Sequence, residues 1–286
     1  MGYGIAQSLL RSGHHVFGED LKQEAVKRLH EQGGAGAGAL SVAPELDAVV
    51  VVVLNAAQTE SVLFGENGFV PRLAPGAVVI LCVTVAPDYA RSAAIRCAAC
   101  GVHFLDAPIS GGFVKAAEGK LSVMASGGPD AFEAARPVLD AMAETVFELG
   151  SIAGAGSAMK AVNQMLAGIH IAAMAEAITF AMTQGIDPAT FLKVIPACAG
   201  TSWMLENRAP HVVVGDYDPR SAIDIWPKDL GIVLEVARTS KFAAPVTAAA
   251  LQQFICAAGM GLGREDDAAV AKVYARNAGL SLPIKN

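Results

Sequence analysis

Along the first half of the chain, short apolar runs alternate with stretches whose apolar residues recur at helical spacing. Ile5, Leu9 and Leu10 predict an opening helix that Ser12-Gly13 stops, and His15-Val16-Phe17 reads as a strand ending at Asp20. "LKQEAVKRLHEQGGAGAG" predicts a second helix running out in glycines, and "LDAVVVVVL" a β-rich strand. "AVVILCVTV" continues the alternation, followed by a helix over roughly 87–100 and a short strand with its loop in "GVHFLDAPIS". "KLSVMASGG" and "TVFELGS" add strands on either side of a helix near Ala131 to Met142. Near-continuous apolar strands alternating with helices predict a parallel sheet covered on both faces.

Past Gly150 the strand runs vanish and long Ala-rich helical stretches take over, the first from about Ser157 to Gln184. The expectation is an α/β domain over 1–150, a doubly wound sheet of Rossmann type, followed by an all-α domain over 151–286. A Rossmann unit needs strand, glycine turn, helix, strand and an acidic residue about 20 positions on. Gly2 to Asp20 supplies everything after the turn, so the sequence reads as beginning inside its own phosphate loop with the first strand missing. "GGAGAG" and "GMGLG" do not open a helix after a strand and are read as helix caps or loops.

Composition narrows the function. At 286 residues the chain can bury a substantial core, and a net charge of −6 offers no basic stripe for nucleic acid. No run of about 18 uninterrupted apolar residues marks a membrane span, and the start lacks a basic segment leading into an apolar stretch and a cleavage site. Five cysteines are an odd number, and Cys97-Ala-Ala-Cys100 lies in a helical stretch without a second Cys or His pair. The expectation is a cytoplasmic protein without a metal, nucleic-acid or membrane partner.

The residues that carry chemistry fall in separate places. Asp20, at the end of the second Rossmann strand position, can accept hydrogen bonds from both ribose hydroxyls and would repel a 2′-phosphate, which favours NAD; a turn aspartate capping the next helix is the alternative. Ser110, Gly111 and Gly112 offer a hydroxyl and unobstructed backbone N–H groups that suit a carboxylate, although Ser-Gly-Gly is also an ordinary turn. Lys160, Asn163, Ala167, His170 and Met174 share one helix face, either a cleft lining or a partly exposed stripe with a snorkelling lysine. Lys228 and Asp229 lie near a helix start, where Asp229 suits the N-terminus and Lys228 a cleft, unless both are simply solvated. Trp203 and Trp226 are expected to be packing anchors.

Together these segments resemble the β-hydroxyacid dehydrogenase family over the full length apart from a first strand. "MGYGIAQSLLRSGHHVFGED" resembles the tail of its cofactor fingerprint, "DAPISGG" its substrate motif, "GAGSAMKAVNQ" its catalytic-lysine helix and "KDLG" its second lysine motif. The wording of "VVVLNAAQ", "LAGIHIAAMAEA", "AGTSWMLENR" and "GREDDAAV" resembles the L-threonate branch more than its relatives. The resemblance implies NAD held by Met1, Gly2, Asp20, Asn55, Thr84 and Lys228. It implies a hydroxyacid bound by Ser110, Gly111, Gly112, Asn163 and His170, with Lys160 taking the alcohol proton while hydride passes to the nicotinamide. It also implies an active site between the domains and a homodimer or homotetramer formed through the all-α domain. Two positions depart from the family pattern: Gln164 stands where many members carry a second asparagine, and Val83 replaces the serine that commonly precedes the threonine matching Thr84. Imine reduction is a rival within the fold, which Lys160 disfavours, and a binding module that has lost catalysis is a rival from another class.

Overall fold

A computed structural model describes residues 1–36 and 38–285, so of the "GGAGAG" stretch Ala37 lies outside the described residues. The chain divides into two compact units, Met1–Lys160 and Ala161–Asn286.

The first unit is a Rossmann-like α/β unit. It opens with helices α1 (Gly2–Arg11) and α2 (Gln23–Glu31). Strands β1 (Ala48–Val51), β2 (Val78–Leu81) and β3 (His103–Asp106) form a parallel sheet in that order. Helices α3 (Ala56–Phe64) and α4 (Pro87–Ala98) make the crossovers. The apolar run of β2 is explained by its neighbours. Val78 and Ile80 pack with Ile5, Leu9 and Leu139, while Val79 and Leu81 point the other way, onto Leu63, Ala90 and Cys97. With both faces covered and a partner on each edge, the strand has no position for a polar residue.

A second three-stranded sheet follows. β4 (Ile109–Ser110) pairs antiparallel with β5 (Leu121–Ala125), and β5 pairs parallel with β6 (Ala143–Glu148). Helices α5 (Gly112–Glu118) and α6 (Pro129–Met142) accompany it. An antiparallel bridge between Asp106 and Ser126 ties the end of β3 to the end of β5.

The structure corrects one strand expectation. His15–Phe17 is not part of any ladder; its backbone contacts run to the loop after α2, with the Ala35 N–H donating to Val16 O at 2.8 Å. A strand is a pairing, and an apolar segment without a neighbouring strand cannot form one. Instead, a cavity of about 570 Å³ lined by Val16, Phe17, Val50, Val52, Leu9 and Val26 lies beside the segment.

The second unit is helical. The chain enters it along α7 (Ala155–Thr183), followed by α8 (Pro188–Val194), α9 (Trp203–Val214), α10 (Ile225–Thr239), α11 (Pro245–Ala257) and α12 (Ala271–Asn277). Ile171, Met174 and Ile178 of α7 pack with Trp226 and Leu230 of α10 and Phe254 of α11. Two helical segments, 155–183 and 245–262, are long and apolar enough to cross a membrane by length and composition, with mean hydropathies of 1.6 and 1.2. In α7 the apolar residues beyond Ala167 are largely the ones that build this core. Trp226 is the anchor expected of it, stacking on Phe254 and donating its indole N–H to Asp267 at 2.9 Å. Trp203 is not an anchor within the chain, since it is 63% exposed.

Candidate active site

Strand β3 ends on a carboxylate that the core cannot leave bare. The Asp106 side chain is buried, and its Oδ2 accepts from the backbone N–H groups of Gly154 and Ser157, each at 2.8 Å. Ser157 Oγ donates to Asp106 Oδ1 at 2.6 Å, and Ser126 Oγ lies 3.3 Å from Oδ2 while accepting from the Gly156 N–H at 2.9 Å. Burial pushes the Asp106 carboxyl above its usual range, opposed by the hydrogen bonds from Ser157, Gly154 and Ser126. The strand passes within reach of the helix start only because position 156 is glycine: a Cβ there would sit 2.3 Å from Met124 O. An acidic side chain on the first N–H groups of a helix satisfies orphan donors and complements the helix dipole. Asp106 thereby fixes where α7 begins.

One turn further on, Lys160 is nearly buried and its Nζ donates to Ile109 O at 2.8 Å. Ile109 and Ser110 form β4, held in register against Val123 and Ser122. The chain then turns through Gly111 and Gly112 at φ +133° and +78°, backbone conformations that only glycine adopts without strain. The structure therefore brings Lys160 to the Ser110–Gly112 turn, joining two motifs separated by about fifty positions. The snorkelling alternative for Lys160 does not hold, because its ammonium ends on a backbone carbonyl inside the first unit.

In the second unit the same helix carries Asn163, Gln164 and His170. Asn163 Nδ2 donates to Gln164 Oε1 at 2.9 Å, and Gln164 Nε2 donates to Asp229 Oδ2 at 2.5 Å. Asp229, 2% exposed, is also ion-paired through Oδ1 with Lys228. The Lys-Asp pair is therefore not solvated, and Asp229 serves a side-chain network rather than the N-terminus of α10. His170 is partly buried further along α7.

Of the positions expected to hold the dinucleotide, Met1, Gly2, Asp20, Asn55 and Thr84 belong to the first unit and Lys228 to the second. Helix α1 starts at Gly2 with no side-chain cap and no acid in its first turn, leaving its first N–H groups to meet a phosphate. Asp20 is exposed; its Oδ1 accepts from the Lys22 N–H at 2.8 Å, and its second oxygen is available to a ribose. The turn role and the ribose role of Asp20 are thus compatible. These features fit a nicotinamide dinucleotide. Asn55 caps α3 by accepting from the Gln58 N–H at 2.9 Å, and Thr84, partly buried, follows β2. The residue that sequence reasoning passed over is Asp106, visible only as a lone acid closing an apolar run.

A Rossmann-like parallel sheet followed by a helical domain, with a lysine fixed at a Ser-Gly-Gly turn, defines an NAD-binding oxidoreductase of the dehydrogenase class. The NAD binding domain of 6-phosphogluconate dehydrogenase matches residues 1–150, and the family described as NAD-binding of NADP-dependent 3-hydroxyisobutyrate dehydrogenase matches residues 154–274. L-threonate dehydrogenase of Cupriavidus necator is 47% identical over 286 residues, covering 100% of this chain and 95% of the relative. Its counterpart from Escherichia coli K12 is 45% identical, covering 99% and 93%. The crystal structure of a 3-hydroxyisobutyrate dehydrogenase from Salmonella typhimurium superposes with a TM-score of 0.91 at 44% identity, covering 95% of both chains. The chain belongs to the 3-hydroxyisobutyrate-type, or β-hydroxyacid, dehydrogenase family, a family of nicotinamide-dinucleotide-binding enzymes that includes NAD-dependent dehydrogenases of small hydroxyacids.

Proposed function

We propose that this protein oxidises L-threonate at C2 to 2-dehydro-L-erythronate. The observation that carries the chemistry is Lys160 Nζ held 2.8 Å from Ile109 O, beside the hydroxyl and open backbone of Ser110–Gly112. In this reading the turn binds the substrate carboxylate through Ser110 Oγ and the N–H groups of Gly111 and Gly112. Lys160, as the neutral amine, takes the C2 hydroxyl proton as the carbonyl forms, and Asn163 and His170 meet the outer hydroxyls. NAD, when bound, supplies the acceptor for the hydride leaving C2. Met1, Gly2, Asp20, Asn55, Thr84 and Lys228 hold that cofactor, and the Asp20 carboxylate disfavours a 2′-phosphate.

The choice of L-threonate rests on the relatives that carry that activity in their names. Residues 1–150 serve the cofactor; residues 151–286 supply the substrate-orienting helix and the contacts of a homodimer or homotetramer in the cytoplasm. Exposed Val162, Leu166, Phe180 and Trp203 support such contacts. The test is NADH formation with L-threonate, D-threonate, D-glycerate and 3-hydroxyisobutyrate at equal concentration. L-threonate is expected to give the highest kcat/KM. A higher value for D-glycerate or 3-hydroxyisobutyrate overturns the threonate assignment, and no turnover of any hydroxyacid overturns the enzyme.

A further inference from the structure

Asn163, Gln164, Asp229 and Lys228 form a chain whose direction is chemically forced. Asp229, paired with the Lys228 ammonium, is a carboxylate with acceptors only. Gln164, 8% exposed, can therefore meet it only with its NH₂ group, as the 2.5 Å contact from Nε2 to Asp229 Oδ2 shows. That turns Gln164 Oε1 toward Asn163, where it accepts from Nδ2 at 2.9 Å. Asn163 is thus obliged to spend one N–H of its NH₂ group inward, which fixes the sense of the amide and leaves its carbonyl Oδ1 as the acceptor, beside the second N–H, that it can offer a ligand. A free asparagine can turn its amide over; this one has lost the choice.

We propose that Gln164 is a specificity-determining positioning residue: by relaying the polarity of Asp229, it locks the Asn163 amide with its oxygen outward, as an acceptor dedicated to a substrate hydroxyl. The inference rests on the reading that Asn163 faces the substrate. An outward oxygen welcomes an O–H donor and repels an anionic or purely accepting group, so the position selects a hydroxylated chain over a carboxylated one. An apolar chain leaves that oxygen desolvated and unmatched. The longer side chain at position 164 matters because the shorter asparagine common in the family has one methylene less with which to span from Asn163 to Asp229.

Two variants and two readouts test this. Gln164→Leu keeps the volume and leaves Lys228 on Asp229 but removes the relay. In the substrate-free protein, the Asn163 side-chain amide protons, followed by nitrogen-edited NMR, should be protected from exchange in the wild type and lose that protection in Gln164→Leu. In turnover, Gln164→Leu should lower kcat/KM for L-threonate by about tenfold, the scale of one neutral hydrogen bond. The value for 2-hydroxybutanoate, which lacks the outer hydroxyls, should change less than about twofold on the same scale. Gln164→Glu should recover the wild-type preference on the acid side, where a protonated Glu donates to Asp229 and accepts from Asn163 as Gln does. Its activity relative to wild type should fall as pH rises and the two carboxylates repel. Unprotected Asn163 amide protons in the wild type, or equal losses for both substrates in Gln164→Leu, overturn the proposal. Failure of L-threonate with every variant overturns the assigned activity instead, while the NMR measurement still decides whether the lock exists.

Discussion

Asp106 and Asp229 are both buried carboxylates, and they are satisfied in opposite ways. Asp106 is held by neutral donors, the N–H groups of Gly154 and Ser157 and the hydroxyls of Ser157 and Ser126. Asp229 is held by side chains, the Lys228 ammonium and the Gln164 amide. A carboxylate gripped by the backbone of a helix start cannot lose its partners without unwinding the helix, so it acts as a structural clamp. One gripped by side chains exports its polarity to whatever those side chains touch next. Changes around Asp106 should therefore be felt as stability and in the placement of Lys160; changes around Asp229 should be felt as discrimination.

The largest expected effect lies where the clamp meets the chemistry. Lys160→Ala should lower kcat by 10²–10⁴-fold, roughly the contribution of a positioned acid–base group, while leaving the NAD dissociation constant from fluorescence titration nearly unchanged. A loss below about tenfold would remove Lys160 from the proton-transfer role.

Next comes the clamp itself. Asp106→Ala strands the donors of Gly154 and Ser157 and should cost about 3 kcal/mol in denaturant unfolding, at roughly 1–3 kcal/mol for each unsatisfied buried group. Asp106→Asn should cost clearly less, because its carbonyl can accept from the two N–H groups while its NH₂ donates to Ser157 Oγ. Equal losses for the two variants would mean that the negative charge, not the hydrogen-bond pattern, holds the start of α7.

A third aspartate, exposed Asp20, extends the comparison to solvent. Asp20→Ala should narrow the preference for NAD over NADP by about tenfold, since one charge pair near water is worth roughly 1–2 kcal/mol. Matching kcat/KM values for the two cofactors in the unaltered protein would dismiss this role for Asp20.

The smallest effect separates burial from hydrogen bonding at Asp106. Because burial raises its folded-state pKa above the ordinary 3.8, the folded protein binds more protons than the unfolded chain between that value and the raised one. The contribution of Asp106 is then greatest at the acid end and is lost as pH rises through this window. The stability difference between wild type and Asp106→Asn, measured in a pH series of urea titrations, should decline toward neutral pH. A difference that grows with pH would mean that the hydrogen bonds outweigh burial.

Local pattern determined much of this protein. The apolar alternation of β2 encodes a strand covered on both faces, the switch to Ala-rich helical spacing marks the change of unit, and Lys160, Asn163 and His170 fall on one helix face by spacing alone. Tertiary structure decided the rest, because a hydrogen bond depends on where two distant segments arrive. His15–Phe17 has the composition of a strand but, among the described residues, joins no ladder. Ser157 lies 51 positions from Asp106, and Asp229 lies 65 from Gln164, so no window of sequence could show that one aspartate would clamp a helix and the other would orient an amide. Periodicity reports which face of an element is buried; only the packed chain determines which polar group waits on the other side.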